Sequence, residues 1–380
     1  MKRSGPLRLL YAFRLSTGER ATRGSWSYFL PPFFLTLLGI LAVLISASCA
    51  RRVMPGTVKI ALVAPFEGYY RATGYDAIYS ARLAVREINN AGGIRGWRLE
   101  LVAYDDRGEP ELARRAAQSV TMDPEILVIL GHYLAPTTAT ARAIYTEAHL
   151  PFVVLGTWTQ RGPTVWHLMP SPDVMAEAMI STSGTVDGPC LVEGEGPVAQ
   201  ALRERVPSNT AEQSAMACVY STMPAIQAGE WLATAHADGW DGTFIGDLQL
   251  ANASFSTLAA AAVLNSAFVT PYPLPRELTD VQPWTEAYRS VGPHVPEPGI
   301  YAVPTYEAVY VVAEAIDRML ATHSSPSRAG LNDALGLVDH TGMLGRLQLG
   351  AEGYWTPMKL YRYHWTVADA LPQLMSRDAP

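Results

Sequence analysis

Tyrosine, threonine, tryptophan and aspartate side chains recur where short apolar runs end, and their types suit recognition better than catalysis. Tyr69 and Tyr70 follow the run 58–64, which halts at Pro65. Thr137 and Thr138 follow the run 126–130, and Thr157 and Trp158 follow 151–155. Asp247 and Gln249 come after 243–246, and Tyr301 opens a long helical pattern. Hydroxyls and helix N-terminal N–H groups suit an anionic head, aromatic faces suit a ring or apolar body, and Asp247 suits a cation. Each residue alone is ordinary loop composition. Their convergence on strand ends gives the set its weight.

Other candidate chemistry is weaker. Asp105 and Asp106 form a carboxylate pair, but directly after a strand and before Glu109-Pro110 they read as turn and helix-cap residues. His132 ends an apolar run; it is expected to be a satisfied structural histidine, with ligand contact as the alternative. Gly194-Glu195-Gly196-Pro197-Val198-Ala199 fits GxGxxA, the turn that brings backbone N–H groups onto a pyrophosphate. No acid suited to a ribose follows it, and any tight strand-to-helix turn favours glycine, so no dinucleotide cofactor is expected. There is no G-x-S-x-G elbow, no HExxH among the eight histidines and no cysteine-rich metal module among three cysteines. No metal site and no enzyme activity are expected. A net charge of −6 argues against nucleic acid as a partner.

The elements that must hold these residues alternate regularly. The run 58–64 is a buried parallel strand, and residues 75–91 place Ile78, Ala81, Val85 and Ile88 at helical spacing. Gly92-Gly93 ends that helix, and residues 98–104 alternate into a second strand. Further units follow, with strands at 126–130, 151–155, 190–192, 217–220, 242–246 and 267–270. Helices are expected at 111–120, 137–149, 198–206, 225–237, 253–264 and 301–320. A chain of 380 residues with 49% hydrophobic and 17% charged content is long enough for two such domains. Strands that alternate with helices build doubly wound parallel sheets, whose ligands bind beyond the carboxyl ends of the strands. The chain is expected to close with a β-hairpin whose strands are 345–349 and 358–363.

The N-terminal segment differs in kind. Lys2, Arg3, Arg8, Arg14, Arg20 and Arg23 precede residues 25–50, which carry no charge and end in Ser46-Ala47-Ser48-Cys49. This resembles a bacterial lipoprotein signal, which implies lipidation at Cys49 and attachment to the outer face of a membrane. The basic stretch is longer than usual, and Ser46 stands where leucine is usual. An uncleaved membrane-spanning anchor is the alternative, and either keeps the rest of the chain outside the cytoplasm.

Residues 81–118 carry a family resemblance. Glu87-Ile88-Asn89-Asn90-Ala91-Gly92-Gly93-Ile94, then Asp105-Asp106-Arg107-Gly108-Glu109-Pro110, and later Tyr301 with Thr305-Tyr306-Glu307-Ala308-Val309, resemble the type I periplasmic binding proteins of the leucine/isoleucine/valine branch. The resemblance implies an α/β fold of two doubly wound parallel-sheet lobes joined by a hinge, with the second lobe trimmed at one edge. The implied division is a signal segment 1–49, tether 50–56, lobe 1 over 57–172, lobe 2 over 173–272, a return to lobe 1 over 273–333, and lobe 2 with the hairpin over 334–380. Crossovers are expected near Pro170, Pro271 and Ser327. The implied function is capture of a small amino acid- or amide-like solute by a monomer that delivers it to an ABC transporter permease. A ligand-sensing domain of a signalling system is the alternative.

Two details follow from the same resemblance. Relatives bind an amino-acid carboxylate with hydroxyls at positions that here fall on Ala135 and Trp158, with Thr159 as the alternative donor at the second position. Their ammonium-binding acid falls near Leu248, leaving Asp247 as a shifted substitute. The family also places the strands begun by Cys190 and Cys218 side by side. Two buried free thiols are the expectation there, and a disulfide the alternative.

Overall fold

The computed structural model describes residues 56–184, 187–207, 216–350, 352–356, 359–368 and 371–377; Cys49 lies outside them. The first repeat runs β1 (Thr57–Ala64), α1 (Arg71–Asn90), β2 (Arg98–Asp105), α2 (Pro110–Met122), β3 (Ile126–Gly131), α3 (Ala135–Glu147), β4 (Phe152–Val154) and β5 (Val165–His167). The strands form one parallel sheet in the order β2-β1-β3-β4-β5. β3 is buried along its whole length and β1 from Ile60 onward, because helices cover both faces of the sheet. At the edge, β2 alternates toward solvent. Burying each large apolar side chain of these strands contributes about 1.5–3 kcal/mol.

The asparagine-glycine segment after α1 has a clear local purpose. Asn89 donates its amide to the Leu99 carbonyl at 2.8 Å and accepts from the Leu99 N–H at 2.9 Å. The side chain thus serves as a strand partner for β2 and fastens the helix end to it.

The second repeat is α4 (Pro172–Thr182), β6 (Cys190–Glu193), α5 (Pro197–Arg205), β7 (Cys218–Ser221), α6 (Ala225–Ala237), β8 (Thr243–Gly246), α7 (Ala253–Ala259) and β9 (Ser266–Thr270). After these come α8 (Val281–Arg289), α9 (Ala302–Thr322), α10 (Arg328–Leu335), β10 (Asp339–Gly342), β11 (Gly345–Leu349), β12 (Trp355–Thr356), β13 (Tyr361–His364) and β14 (Gln373–Arg377). The second sheet has the order β14-β13-β9-β8-β7-β6, with β6 to β9 parallel and β13 antiparallel to both of its neighbours. Among the described residues β6 is the outer strand on its side of the second sheet.

Three expectations are corrected. Cys190 and Cys218 are disulfide-bonded, with Cα atoms 4.6 Å apart. The β6–β7 register sets the two cysteines directly opposite one another, which is the geometry a bridge requires. The crossing expected near Ser327 does not occur there. Arg328 of α10 donates to the Ile126 and Asp123 carbonyls at 3.0 and 2.8 Å, and Trp166 donates to Asn332 at 3.0 Å. These bonds hold α10 on the first lobe.

The expected hairpin of 345–349 with 358–363 is also absent, since the two strands lie in different sheets. β11 pairs with β10 and β12, and β13 pairs with β9 and β14. The small β10–β12 sheet stays with the first lobe, because Glu307 of α9 receives the Met343 N–H at 3.1 Å and His340 at 3.0 Å. The chain is in the second sheet from β13 at Tyr361, not from residue 334 as expected.

Candidate functional site

The loop after β1 is fastened by Asp105, whose Oδ1 accepts from the N–H groups of Phe66, Glu67 and Arg107 at 2.8, 3.4 and 3.0 Å. Its turn duty is therefore direct. The loop carries Tyr69 out to 84% exposure, whereas Tyr70 is half-buried. The Tyr70 phenol meets the Ile226 backbone at the start of α6 in the second lobe, and burial, with the Glu230 carboxylate nearby, raises its pKa. Gly108 makes room for that ring: a Cβ there would lie 2.9 Å from the Tyr70 ring and 2.8 Å from Leu134.

Thr137 and Thr138 are fully buried, and both donate to the Leu134 carbonyl, at 3.0 and 2.8 Å. Both hydroxyls bond back to the backbone within the first turn of α3 and do not line the cleft. His132 is likewise internal. Its Nδ1 lies 2.5 Å from Asp106 and its Nε2 lies 3.1 Å from the Tyr145 hydroxyl, so both ring nitrogens are partnered out of reach of solvent.

Thr157 and Trp158 follow β4 and line the interlobe cleft. The Trp158 indole N–H donates to the Pro170 carbonyl at 2.8 Å, tying the cleft wall to the segment that leaves the first lobe. Tyr301 is 2% exposed and packs edge-on against Tyr133 with ring centroids 5.4 Å apart. It lies behind Gly156: a Cβ on that residue would stand 2.5 Å from the Tyr301 ring. Tyr301 therefore forms the floor beneath the cleft and is not a lining residue.

The opposite wall comes from the second lobe. Asp247, at the end of β8, is 4% exposed and accepts from the Gln249 N–H at 2.9 Å. Burial pushes its carboxyl up to about 7, against the lowering effect of that bond. The Gln249 side-chain amide crosses the cleft and donates to the carbonyls of Gly156 and Tyr133 at 2.7 and 3.3 Å. Asn252 reaches Thr73 of α1 at 3.3 Å. The lobes thus touch at several points.

Between the lobes, an inner space of about 10 Å³ is bordered by Thr157, Trp158, Glu195, Thr222, Asp247 and Gln249. That is room for roughly one water. It adjoins an outer cleft of about 1250 Å³ reaching to Arg142, Gln160, Glu193, Arg203, Met223 and Gln227. Of the residues singled out from sequence, Thr157, Trp158, Asp247 and Gln249 come together here.

Glu193 and Glu195 were not anticipated. Their signal was the Gly194-Glu195-Gly196 turn itself. Gly194 has a φ of +102° and would meet the Thr222 hydroxyl at 2.5 Å if it carried a Cβ. The glycines here serve a tight turn that presents a carboxylate to the cleft, which would repel a pyrophosphate.

The comparisons with known proteins agree with this architecture. A family model described as "Periplasmic binding protein" matches residues 57–204. The leucine-specific-binding protein of Salmonella typhimurium is 30% identical over 127 residues, covering 32% of this chain and 34% of that protein. The match thus spans about a third of that relative's length. A branched-chain amino acid transporter substrate binding protein from Streptococcus pneumoniae, solved with isoleucine, superposes with a TM-score of 0.67 at 20% identity, over 85% of this chain and 99% of that one. A solute binding protein of an ABC transporter from Rhodopseudomonas palustris, solved with 3,4-dihydroxybenzoic acid, gives 0.65 at 17%, over 85% and 97%. The two-lobed α/β fold with parallel sheets matches that of these solved binding proteins. Residues 57–204 are thus similar to the type I periplasmic binding proteins, and the first lobe to their leucine/isoleucine/valine-binding branch.

Proposed function

We propose that this chain is an extracytoplasmic solute-binding protein that captures a small polar organic solute between its lobes and hands it to the permease of an ABC importer. The observation that carries this reading is the cleft itself, lined by loops from the carboxyl ends of strands in both sheets. A solute touching both walls favours the closed arrangement over the open one, so binding becomes a change of shape that a partner can read. The proposed contacts are Thr157, Trp158, Asp247 and Gln249, with Tyr70 helping to close the lobes. Lipidation of Cys49 is proposed to hold the protein at the membrane.

A free branched-chain amino acid is not the favoured solute. Ala135 and Trp158 occupy the cleft wall where the family resemblance implies hydroxyl donors to a carboxylate. Each lost charge-assisted hydrogen bond forfeits about 1.5–3 kcal/mol. Two such losses turn micromolar affinity into about millimolar. A calorimetric panel tests both levels of the proposal. Micromolar binding of leucine, isoleucine or valine that survives Trp158→Ala overturns the solute preference. A purified protein that carries no small molecule and binds none in a broad amine, amide and acid panel overturns the solute-binding reading itself.

A further inference from the structure

We propose that Gln249 sets which solutes the cleft accepts: its carboxamide occupies the inner end of the cleft as a bound molecule would, and the solute is held outside it. In what it says of the solute, the inference rests on the solute-binding reading above.

The backbone around Gln249 is fixed before its side chain reaches across. Gln249 lies in the short turn Leu248–Ala251, directly after β8. Asp247 caps that turn by accepting the Gln249 N–H at 2.9 Å. Leu248 and Leu250, on either side, are buried. Leu250 sits so close to Gly246 that a Cβ on that glycine would lie 2.3 Å from it. Just past the turn, Asn252 reaches Thr73 of the first lobe at 3.3 Å. The turn is therefore held both within its own lobe and against the other.

The bonds at the tip of the side chain are those of a captured amide. Nε2 donates to the Gly156 carbonyl at 2.7 Å and to the Tyr133 carbonyl at 3.3 Å. A primary amide has two N–H bonds on that nitrogen, and both are spent on main-chain oxygens of the first lobe. The two carbonyls belong to different strand ends, one after β4 and one after β3. Because both partners are acceptors, they also fix which way the amide is turned. Gln249, Gly156 and Tyr133 are all buried. Withdrawing the side chain would take the donor from two carbonyls on buried residues, which opposes displacement by any solute that cannot replace it.

This arrangement has a consequence for the solute. A compact N–H donor that displaced Gln249 would make only the bonds that the protein already makes for itself, and would gain little. The inner end adjoins the outer cleft of about 1250 Å³, where Trp158 of the first lobe faces Glu193, Glu195 and Gln227 of the second. A longer solute bridges the walls there, its inner end resting against Gln249, without losing any bond of the clasp. The cleft thus selects against compact amides and for solutes that span it farther out.

Chemical rescue on the purified protein tests the assignment. Gln249→Ala removes Cγ, Cδ, Oε1 and Nε2, and acetamide supplies the same set of atoms. The variant should have a larger radius of gyration than wild type, and acetamide at about millimolar concentration or above should bring it back. Calorimetry should give the variant an acetamide affinity about tenfold or more above that of wild type. Acetate, which has the same shape and no N–H, should restore nothing. Gln249→Met fills the place without a donor, so it should open the lobes yet gain no response to acetamide. Circular dichroism should match wild type for both variants. Acetamide acting alike on wild type and Gln249→Ala, acetate matching acetamide, Gln249→Met responding as Gln249→Ala does, or scattering from Gln249→Ala identical to wild type overturns the assignment. None of these readouts needs the native solute. A panel solute that binds wild type while acetamide rescue fails removes the role of Gln249 alone; rescue by acetamide with no binder in the panel removes the solute-binding reading alone.

Discussion

The Gln249 side chain of the second lobe donates to the Gly156 carbonyl of the first, 2.7 Å away, and so spans the cleft in which a solute is proposed to sit. A net hydrogen bond contributes about 1 kcal/mol to a closed arrangement, roughly a fivefold shift in population. Gln249→Ala is expected to favour open molecules without solute. Small-angle scattering should then give a larger radius of gyration for the variant. Identical scattering from both proteins would show that the clasp has no part in closure.

The Cys190–Cys218 bridge fastens β6, the outer strand on its side of the second sheet, to β7. Its sequence separation of 28 corresponds to about 3–4 kcal/mol of unfolded-state restriction in the chain-entropy account. Reduction, or the double change Cys190→Ser with Cys218→Ser, should lower Tm by several degrees. The denatured protein should gain two thiols on reduction. Unchanged thiol counts would refute the bridge.

Stability of the solute-free protein should fall as pH rises from 5.5 to 8. Asp76 accepts from the Gly299 and Tyr301 N–H groups at 2.8 and 3.3 Å, yet burial holds its carboxyl at about 7. Burial likewise raises Asp247 to about 7. A carboxyl raised in the folded state contributes fully below its unfolded pKa, and that contribution disappears as pH passes the folded value. Each aspartate contributes about 2 kcal/mol at pH 5.5 and almost nothing at pH 8. His167 works in the opposite direction, because burial lowers it to about 4 and protonation in the unfolded state costs stability below pH 6.5. The aspartates outweigh it. Thermal melts across this range should show the decline, and Asp76→Asn should flatten it by roughly half. A Tm that rises toward pH 8 would contradict the assignment.

Cys49→Ala is expected to release the protein into the soluble fraction or leave an uncleaved precursor. Mass spectrometry of the membrane-bound protein should find a lipid on Cys49 at a new N-terminus. An intact, unlipidated N-terminus would instead favour an anchoring helix.

A single substitution at Gly156 should be costly for two reasons. Its φ is +78°, and an added Cβ would stand 2.5 Å from the Tyr301 ring. Gly156→Ala is expected to destabilise the protein by about 1–3 kcal/mol, measurable by denaturant titration. A change below about 0.5 kcal/mol would mean that the ring gives way easily.

The alternation of strands and helices, the parallel sheets and the family likeness were legible because they rest on short-range patterns. Apolar runs such as 126–131 and the helical spacing of Ile78, Ala81, Val85 and Ile88 encode which face is buried, whatever the rest of the chain does. Thr157, Trp158 and Asp247 were legible as candidates for the same reason, since a strand's end is visible locally. The third crossing was not. Nothing near Ser327 distinguishes an exit from a lobe, and what keeps α10 in place is Arg328 on carbonyls about 200 residues earlier in the chain. Register decided the disulfide, because composition cannot reveal that Cys190 and Cys218 stand directly opposite. Thr137 and Thr138 were misleading, because a hydroxyl at a helix start serves its own backbone as readily as a ligand. The inner part of the cleft required tertiary structure altogether. Glu195, Asp247 and Thr157 border one space only because two lobes that share no local sequence meet there, and that meeting is set by packing rather than by any one segment.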